Sequence, residues 1–190
     1  FSYEAVVALL SDDGSEYVTR HETEDEHPNY FVRKVGELER QPLTEFMDPA
    51  KSLREVQKKL ITYERADGVM LNCMLHLPPG YDLENPLPLP TILWAYPRAY
   101  TQGRMAGQVS NSPHRFSTFA GASPRFLALQ GYAVLDQVAM PIVGDPEMAN
   151  DTFTEQIVAN AEAAIDAVVK MGVCDQQRVG VGGHSYGAFM

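Results

Sequence analysis

The stretch Val179-Gly180-Val181-Gly182-Gly183-His184-Ser185-Tyr186-Gly187-Ala188-Phe189-Met190 carries the strongest indication of the fold of this chain. Its first residues alternate valine with glycine, which is typical of a short strand buried in a parallel sheet. Its last residues are small or apolar and suit the start of a helix. Between them, Gly183 and Gly187 lack the Cβ atoms that would collide in a tight turn. The stretch therefore predicts a sharp strand-to-helix turn with Ser185 exposed at its tip.

The pattern Gly-x-Ser-x-Gly in this turn matches the nucleophile elbow of α/β-hydrolases, whose strain is held by the flanking strand and helix. It predicts Ser185 as the catalytic nucleophile. The backbone N–H of Tyr186, at the start of the helix, is predicted to face a developing oxyanion. His184 adjoins the serine in sequence and is expected to point elsewhere, so we do not expect it to be the base. A glycine-rich turn that merely contains a serine is the alternative interpretation.

The positions of the histidines bear on how much of an enzyme this chain represents. In α/β-hydrolases the triad runs in the order Ser, Asp or Glu, and His, so both partners should follow Ser185. Only Tyr186–Met190 follow it, and every histidine precedes or adjoins the serine: His21, His27, His76, His114 and His184. A serine without its base is a poor nucleophile. We therefore expect a fragment of a longer enzyme, with little or no hydrolytic activity alone.

Strand and helix patterns alternate upstream of the elbow. The predicted elements are a strand at 91–96, a helix at 123–130, a strand at 132–136, a helix from Thr152 to Gly172 and a strand at 179–181. Thr152 and Glu155 have the spacing of a capping box at the start of the long helix. Strands that alternate with helices in this way predict a parallel sheet with right-handed crossovers.

The chain is predicted to contain two structural regions. Residues 1–40 alternate in short strands separated by polar turns, which indicates an antiparallel meander such as the last strands of a β-propeller. Residues 41–60 are predicted to connect the regions. Residues 61–190 are predicted to form a truncated α/β-hydrolase domain that opens with a hairpin turning at Asp67-Gly68. The predicted fold class is therefore α/β.

The loop after the strand at 91–96 is expected to supply a second oxyanion donor. The loop lacks the His-Gly-Gly stretch of lipases and esterases, but Tyr96 stands at its start. A phenol hydroxyl is a good donor to a forming oxyanion, so Tyr96 is predicted to act here, with Tyr100 as the second choice. Simple packing of Tyr96 on the edge of the sheet is the competing interpretation.

Four arginines lie in this loop or shortly after it: Arg98, Arg104, Arg115 and Arg125. In an acidic chain, basic residues near an active site could bind a substrate carboxylate. We hypothesise that one of the four selects acidic side chains. Each arginine taken singly also fits the description of a solvated surface residue.

Composition excludes several classes of function. The chain has 190 residues, 45% of them hydrophobic, and a formal net charge of −10. This charge argues against nucleic acid or anionic membrane surfaces as partners, and no apolar run approaches the roughly 20 residues of a membrane span. Cys73 and Cys174 lack metal-ligand spacing and are interpreted as buried, reduced thiols. We expect no metal and no cofactor, and the sequence leaves the oligomeric state open.

Several stretches, taken together and in order, carry a family resemblance. They are 63–69, 77–82, 93–98, 131–136, 140–144, 150–152 and 182–190. They resemble the prolyl oligopeptidase family, and within it the glutamyl endopeptidase branch of bacteria and plant plastids. The resemblance covers residues 45–190 well and residues 1–40 loosely.

The resemblance implies an N-terminal β-propeller that restricts access and a C-terminal α/β-hydrolase domain that cuts peptides. It implies that Ser185 is acylated, that Tyr96 matches the oxyanion tyrosine of the family, and that the triad Asp and His lie outside this chain. The implied substrate is a peptide or protein cleaved after glutamate. The implied protein is soluble and occupies a reducing compartment, a plastid stroma or a bacterial cytoplasm.

Two other functions fit the same residues. An esterase or acyl-aminoacyl hydrolase can use the same fold, because a fold does not fix the substrate. The chain can also be a non-catalytic fragment or interaction module, because no base for Ser185 is present in it.

Overall fold

Alternation of apolar and polar residues at the start of the chain builds an antiparallel sheet. The computed structural model describes residues 1–106, 108–109, 112–145 and 147–190. Four strands lie side by side in chain order: β1 (Tyr3–Leu9), β2 (Glu16–Glu22), β3 (Asn29–Lys34) and β4 (Arg40–Pro42). The patterns of β1 to β3 predict strands at these places. The three exposed residues of β4 are too few to show alternation, and they pair with Phe31, Val32 and Arg33.

The first compact unit comprises residues 1–54 together with 112–119. Glu22, at the end of β2, is 1% exposed, and its carboxylate accepts hydrogen bonds from Arg20 Nη1 at 2.7 Å and Phe116 N–H at 3.0 Å. Arg115 Nε donates a third at 3.3 Å. A buried carboxylate requires such partners to offset its lost hydration. The sequence pattern assigns residues 112–119 to the second region, whereas Glu22 holds them in the first unit.

The second compact unit comprises residues 55–111 and 120–190. Its sheet has the order β5-β6-β8-β7-β9. The strands are β5 (Gln57–Glu64), β6 (Met70–Leu77), β7 (Leu89–Tyr100), β8 (Ala133–Val143) and β9 (Cys174–Gly182). β7 runs parallel to β8 and β9, whereas β6 is antiparallel to β5 and β8. The predicted parallel core and the hairpin at Asp67-Gly68 are thus confirmed.

β5 begins inside the segment 41–60, which the sequence pattern treats as a connection. Its first residues, Gln57 to Leu60, pair with Leu77 to Met74 of β6. This pairing, between residues about 14 to 20 positions apart, extends the strand beyond the local apolar pattern. The helical turn at Lys51–Leu53 precedes it.

The remaining helical segments are short, with one exception. They are α1 (Gly103–Ala106), 3₁₀ turns at Pro124–Gln130, Ala149–Thr152 and Ser185–Phe189, and the long helix α2 (Phe153–Lys170). The predicted helix at 123–130 is a 3₁₀ helix, not an α-helix. The Ser123 side chain caps its start by accepting a hydrogen bond from Arg125 N–H at 3.4 Å, and Gly131 ends it with φ at +87°.

The start of α2 differs from the prediction. Thr152 is the N-cap residue, but its side chain makes no capping hydrogen bond, so the predicted capping box is wrong. Gln156 holds this end instead. Its amide accepts from Val143 N–H at 2.8 Å and donates to Val143 O at 2.9 Å and to Thr152 Oγ1 at 2.9 Å. The amide thereby joins the first turn of α2 to the last residue of β8. This contact depends on how the two elements pack, which a local capping pattern does not show.

The buried face of α2 packs on the sheet with helical periodicity. Ala164 and Val168 are fully buried in the core, and Ile157 and Ile165 pack against it, as predicted. Asn160 is also fully buried; it donates to Pro141 O at 3.0 Å and accepts from Arg65 Nη1 at 2.8 Å. Within the described ranges, no helix is both long enough and apolar enough to cross a membrane.

Candidate active site

Ser185 lies in a strained turn directly after β9. Its φ is +56°, in the left-handed region that residues other than glycine rarely adopt. His184 before it is extended, with φ at −118° and ψ at 144°, and Gly187 N–H closes the turn by donating to His184 O at 2.9 Å. The side chain of Ser185 is exposed. Strain of this kind persists only where the surroundings impose it, and it is common at active sites.

Neither Gly183 nor Gly187 has a left-handed φ, so backbone conformation does not explain why these positions are glycine. The reason is steric, because a side chain at either position would collide with neighbouring backbone. A Cβ on Gly183 would lie 2.8 Å from the carbonyl oxygen of Ala95 and would collide with the backbone of Gly187. A Cβ on Gly187 would collide with the same Ala95 oxygen. The elbow therefore packs its two glycines directly onto β7, and the strained φ falls on Ser185 alone.

β7 carries Tyr96 to the same edge of the sheet. Trp94 of β7 pairs with Gly182, the last residue of β9, so Tyr96 lies two residues beyond the point where β9 ends. The carboxyl ends of adjacent parallel strands meet at one edge, which places Tyr96 beside the elbow. The Tyr96 and Tyr186 rings meet edge to face with centroids 6.0 Å apart, and Tyr96 is 47% exposed.

The Tyr186 ring belongs to an aromatic cluster that holds the elbow in place. It stacks on Phe189 at a centroid distance of 5.8 Å and contacts Phe153, the first residue of α2, at 5.9 Å. Aromatic contacts of this kind stabilise by about 0.5–1.5 kcal/mol each beyond the area they bury. The backbone of Tyr186, which is the predicted oxyanion donor, is thereby fixed between its strand and α2.

No histidine ring within the described ranges hydrogen-bonds to the Ser185 hydroxyl. The side chain of His184 is exposed. His76, on β6 of the same unit, is 1% exposed, and its Nε2 lies 3.9 Å from Oδ2 of Asp136. Burial, together with the charges of Arg125 and Lys58, lowers its pKa to about 3, so it is neutral at physiological pH.

The two cysteines are not alternative nucleophiles. Both are free and buried, as predicted. Burial raises the pKa of the Cys73 thiol to about 12, although the nearby Tyr63 hydroxyl opposes this rise. Because only the thiolate is strongly nucleophilic, Cys73 is chemically inert at neutral pH.

The four arginines proposed from the sequence to select acidic side chains differ in their contacts. Arg125 Nε donates to the buried carboxylate of Asp136 at 2.8 Å, and Arg115 lies over the Tyr3 ring and bonds to Glu22. Both guanidinium groups are therefore engaged in holding structure. Arg104 is exposed on α1, and Arg98 is exposed on β7.

The loop predicted directly after residue 96 is wrong, because β7 continues to Tyr100 in parallel pairing with β8. Tyr96, Arg98 and Tyr100 therefore occupy every second position of this strand, and they line one cleft of about 310 Å³. Gln137 of β8 also lines it, although no sequence pattern predicts a role for this residue. Its φ is +53°, and among the described residues other than glycine it shares a left-handed backbone only with Ser185. The cause is a bulge, which a single sequence does not reveal.

The chain was compared with protein-family models and with curated proteins. No family model matches the chain. The probable chloroplastic glutamyl endopeptidase of rice, Oryza sativa subsp. japonica, is 41% identical over 99% of this chain. The match covers 21% of that protein, so the chain spans about a fifth of its relative's length.

Two solved structures share the fold. Dipeptidyl peptidase 4 of Porphyromonas gingivalis superposes with a TM-score of 0.66 at 18% identity, over 97% of this chain and 25% of that one. A structure from an analysis of two prolyl endopeptidases gives a TM-score of 0.59 at 15% identity, over 98% of this chain and 26% of that one. The resemblance found in the sequence is confirmed: over nearly its whole length the chain is related to proteins named glutamyl endopeptidase, and it shares the fold of solved dipeptidyl and prolyl peptidases.

Proposed function

We propose that this chain supplies the nucleophile and the oxyanion donors of a serine peptidase. The observation that carries the proposal is the exposed, left-handed Ser185 at the end of β9, packed through two glycines against β7. Its relative is named a glutamyl endopeptidase and is about five times as long. The proposed enzyme is therefore a protein of that length, and this chain is one segment of it.

In the proposed mechanism, Ser185 Oγ attacks the carbonyl carbon of the scissile peptide bond and a histidine accepts its proton. The backbone N–H of Tyr186 and the hydroxyl of Tyr96 donate to the tetrahedral oxyanion. The C–N bond then breaks, the histidine returns the proton to the leaving amine, and water hydrolyses the acyl-enzyme. The histidine and its aspartate partner come from the part of the protein outside this chain, in the order Ser, Asp, His.

The remaining features of the proposal follow from the relative and from the first unit. The four-stranded antiparallel sheet has the strand number of one β-propeller blade, which supports a propeller in front of an α/β-hydrolase domain. The name of the relative supports cleavage after glutamate and, with the buried free thiols, a reducing compartment such as a plastid stroma or a bacterial cytoplasm.

The test uses a protein of the relative's length that contains this chain. It is treated with a fluorophosphonate probe and assayed with a peptide amide and with a short acyl ester. We expect Ser185→Ala to abolish labelling and peptide cleavage, and Tyr96→Phe to lower kcat about a hundredfold to a thousandfold while the protein stays folded. His184→Gln, which changes an exposed neighbour, is the control and should retain labelling.

Each outcome has a clear meaning. Peptide cleavage that survives Ser185→Ala would overturn the proposal. Turnover of the ester without turnover of any peptide would assign the fold to an esterase instead. Full labelling of the isolated 190-residue chain would contradict the inference that its base lies elsewhere.

A further inference from the structure

The cleft beside Tyr96 has a lining that the nucleophilic chemistry of Ser185 does not use. Its polar lining residues are Asn72, Tyr96, Arg98, Tyr100, Gln108 and Gln137. Among the residues that the structure describes, no residue of this lining carries a negative charge, although the chain as a whole has a formal net charge of −10. The cleft is therefore a place where one cation and several neutral donors face solvent without a carboxylate.

Arg98 is the cation of this cleft. Seven other arginines form ion pairs: Arg20, Arg33, Arg54, Arg65, Arg115, Arg125 and Arg178. Among the residues that the structure describes, no carboxylate lies within ion-pair distance of Arg98. Its planar guanidinium is thus available to a ligand, and the group that matches its fork of donors is a carboxylate or a phosphate.

Two amides converge on the same space. Asn72 is 4% exposed and lines the cleft, where its side-chain amide forms part of the wall. An amide in the wall of a cleft can donate a hydrogen bond to a ligand that enters it. Its position on β6 is fixed by the register of the sheet, in which Asn72 pairs with Thr62 of β5.

Gln137 is the second amide, and its backbone is held in an unfavourable conformation. β7 and β8 pair at Leu93 with Leu135 and again at Ala95 with Val138, so β8 carries one extra residue at this point. The bulge re-aims Gln137 into the cleft at the cost of its φ of +53°. Glycine would adopt this φ without strain. A glutamine here accepts the strain and places an amide side chain in the cleft.

We propose that this cleft binds the carboxylate of an acidic substrate side chain, with Arg98 as the specificity-determining residue and the Asn72 and Gln137 amides as further donors. The proposal rests on the proposed peptidase function and names the residues behind a preference for glutamate. A carboxylate only accepts hydrogen bonds, so it suits donors alone, whereas the amide of a glutamine side chain brings its own N–H groups against Arg98.

The test measures binding, so that it does not depend on catalysis. The protein of the relative's length carries Ser185→Ala, and titration calorimetry compares two peptides that differ only in Glu or Gln at the residue before the cleavage site. We expect the Glu peptide to bind about tenfold to a hundredfold more tightly. Arg98→Gln should remove this difference, chiefly by weakening binding of the Glu peptide, and Arg98→Lys should restore part of it.

Arg104→Gln is the matched control, because Arg104 is exposed on α1 and does not line the cleft. A preference for Glu that survives Arg98→Gln, or that is lost equally in Arg104→Gln, overturns the proposal. Gln137→Gly should weaken binding of the Glu peptide severalfold without lowering Tm, and unchanged binding removes Gln137 from the site. Loss of Glu preference in Arg98→Gln together with cleavage that survives Ser185→Ala would sink the peptidase mechanism but keep this binding site.

Discussion

The carbonyl oxygen of Ala95 occupies the space that a β-carbon at Gly187 would need. The contact joins the turn after β9 to β7 one residue before Tyr96, so the same backbone contact that seats Ser185 also sets the position of the proposed oxyanion donor. Gly183 lies against the same oxygen. Two glycines of a short sequence motif are thus explained by one atom from a strand about 90 residues earlier.

Gly187→Ala should therefore misplace the elbow. We expect a loss of about 2–3 kcal/mol in the free energy of unfolding and at least a hundredfold slower fluorophosphonate labelling of Ser185, because backbone on both sides must shift. Urea unfolding and labelling kinetics measure the two effects. Gly180→Ala is the control: its Cβ would meet only the flexible end of Ile92, at 2.9 Å, and should cost less than about 1 kcal/mol. Equal effects of the two substitutions would contradict this explanation.

The start of α2 allows a direct contrast between sequence pattern and structure. Gln156→Ala removes three hydrogen bonds that join the helix to Val143 and Thr152, and should cost about 1–2 kcal/mol. Glu155→Ala removes the acidic residue of the predicted capping box, which is exposed and does not cap, and should cost less than about 0.5 kcal/mol. Chemical denaturation of both variants decides between them, and a larger loss for Glu155→Ala would restore the capping box.

His76 predicts an acid-sensitive step in stability. Its ring is buried and the charges of Arg125 and Lys58 act on it, so its pKa falls from 6.5 to about 3. The Asp136 carboxylate, 3.9 Å away, is paired with Arg125. The folded state keeps His76 neutral while the unfolded chain takes up a proton below pH 6.5. Stability is therefore complete above pH 6.5 and declines as the pH falls from 6.5 toward 3, by about 2 kcal/mol between pH 7 and pH 5.

The check is the free energy of unfolding at pH 7 and pH 5 for the wild-type chain and for His76→Leu. The variant should lose most of this pH dependence, retaining the share of His21, whose pKa burial also lowers. His184→Gln, at an exposed position, should behave as the wild type does. An unaltered slope in His76→Leu would place the acid sensitivity elsewhere.

Arg125 is expected to stabilise the fold, in contrast to Arg98, which is proposed to bind substrate. Asp136 is 5% exposed, and Arg125→Met would leave its carboxylate buried beside a neutral histidine. We expect a loss of about 3 kcal/mol in the free energy of unfolding, because an unpaired buried charge is costly. The preference for Glu over Gln peptides should be unchanged at temperatures where the variant is folded. A change in preference without a loss of stability would assign substrate binding to Arg125 instead.

The sequence alone determined the features that depend on neighbours along the chain. Glycine at two positions around Ser185 indicates a tight turn, and the Asp67-Gly68 turn lies between two apolar runs. The strand pattern also places Tyr96 in β7, although the strand continues to Tyr100. The periodicity of α2 likewise predicts which face is buried, because one helical turn returns every third or fourth side chain to the same side. The catalytic roles of Ser185, Tyr186 and Tyr96 stay predictions.

Other features arise only from contacts between separate segments of the chain. Glu22 draws residues 112–119 into the first unit, and Gln156 replaces the capping box because β8 presents the backbone of Val143 to it. The bulge at Gln137 exists only because β7 and β8 pair on both sides of it. Local patterns fix backbone preferences within a few residues, whereas strand register and buried partners are set when separate segments meet. The sequence therefore offers Arg98 only as one of four candidate arginines, and the cleft that distinguishes it forms where β6, β7 and β8 pair.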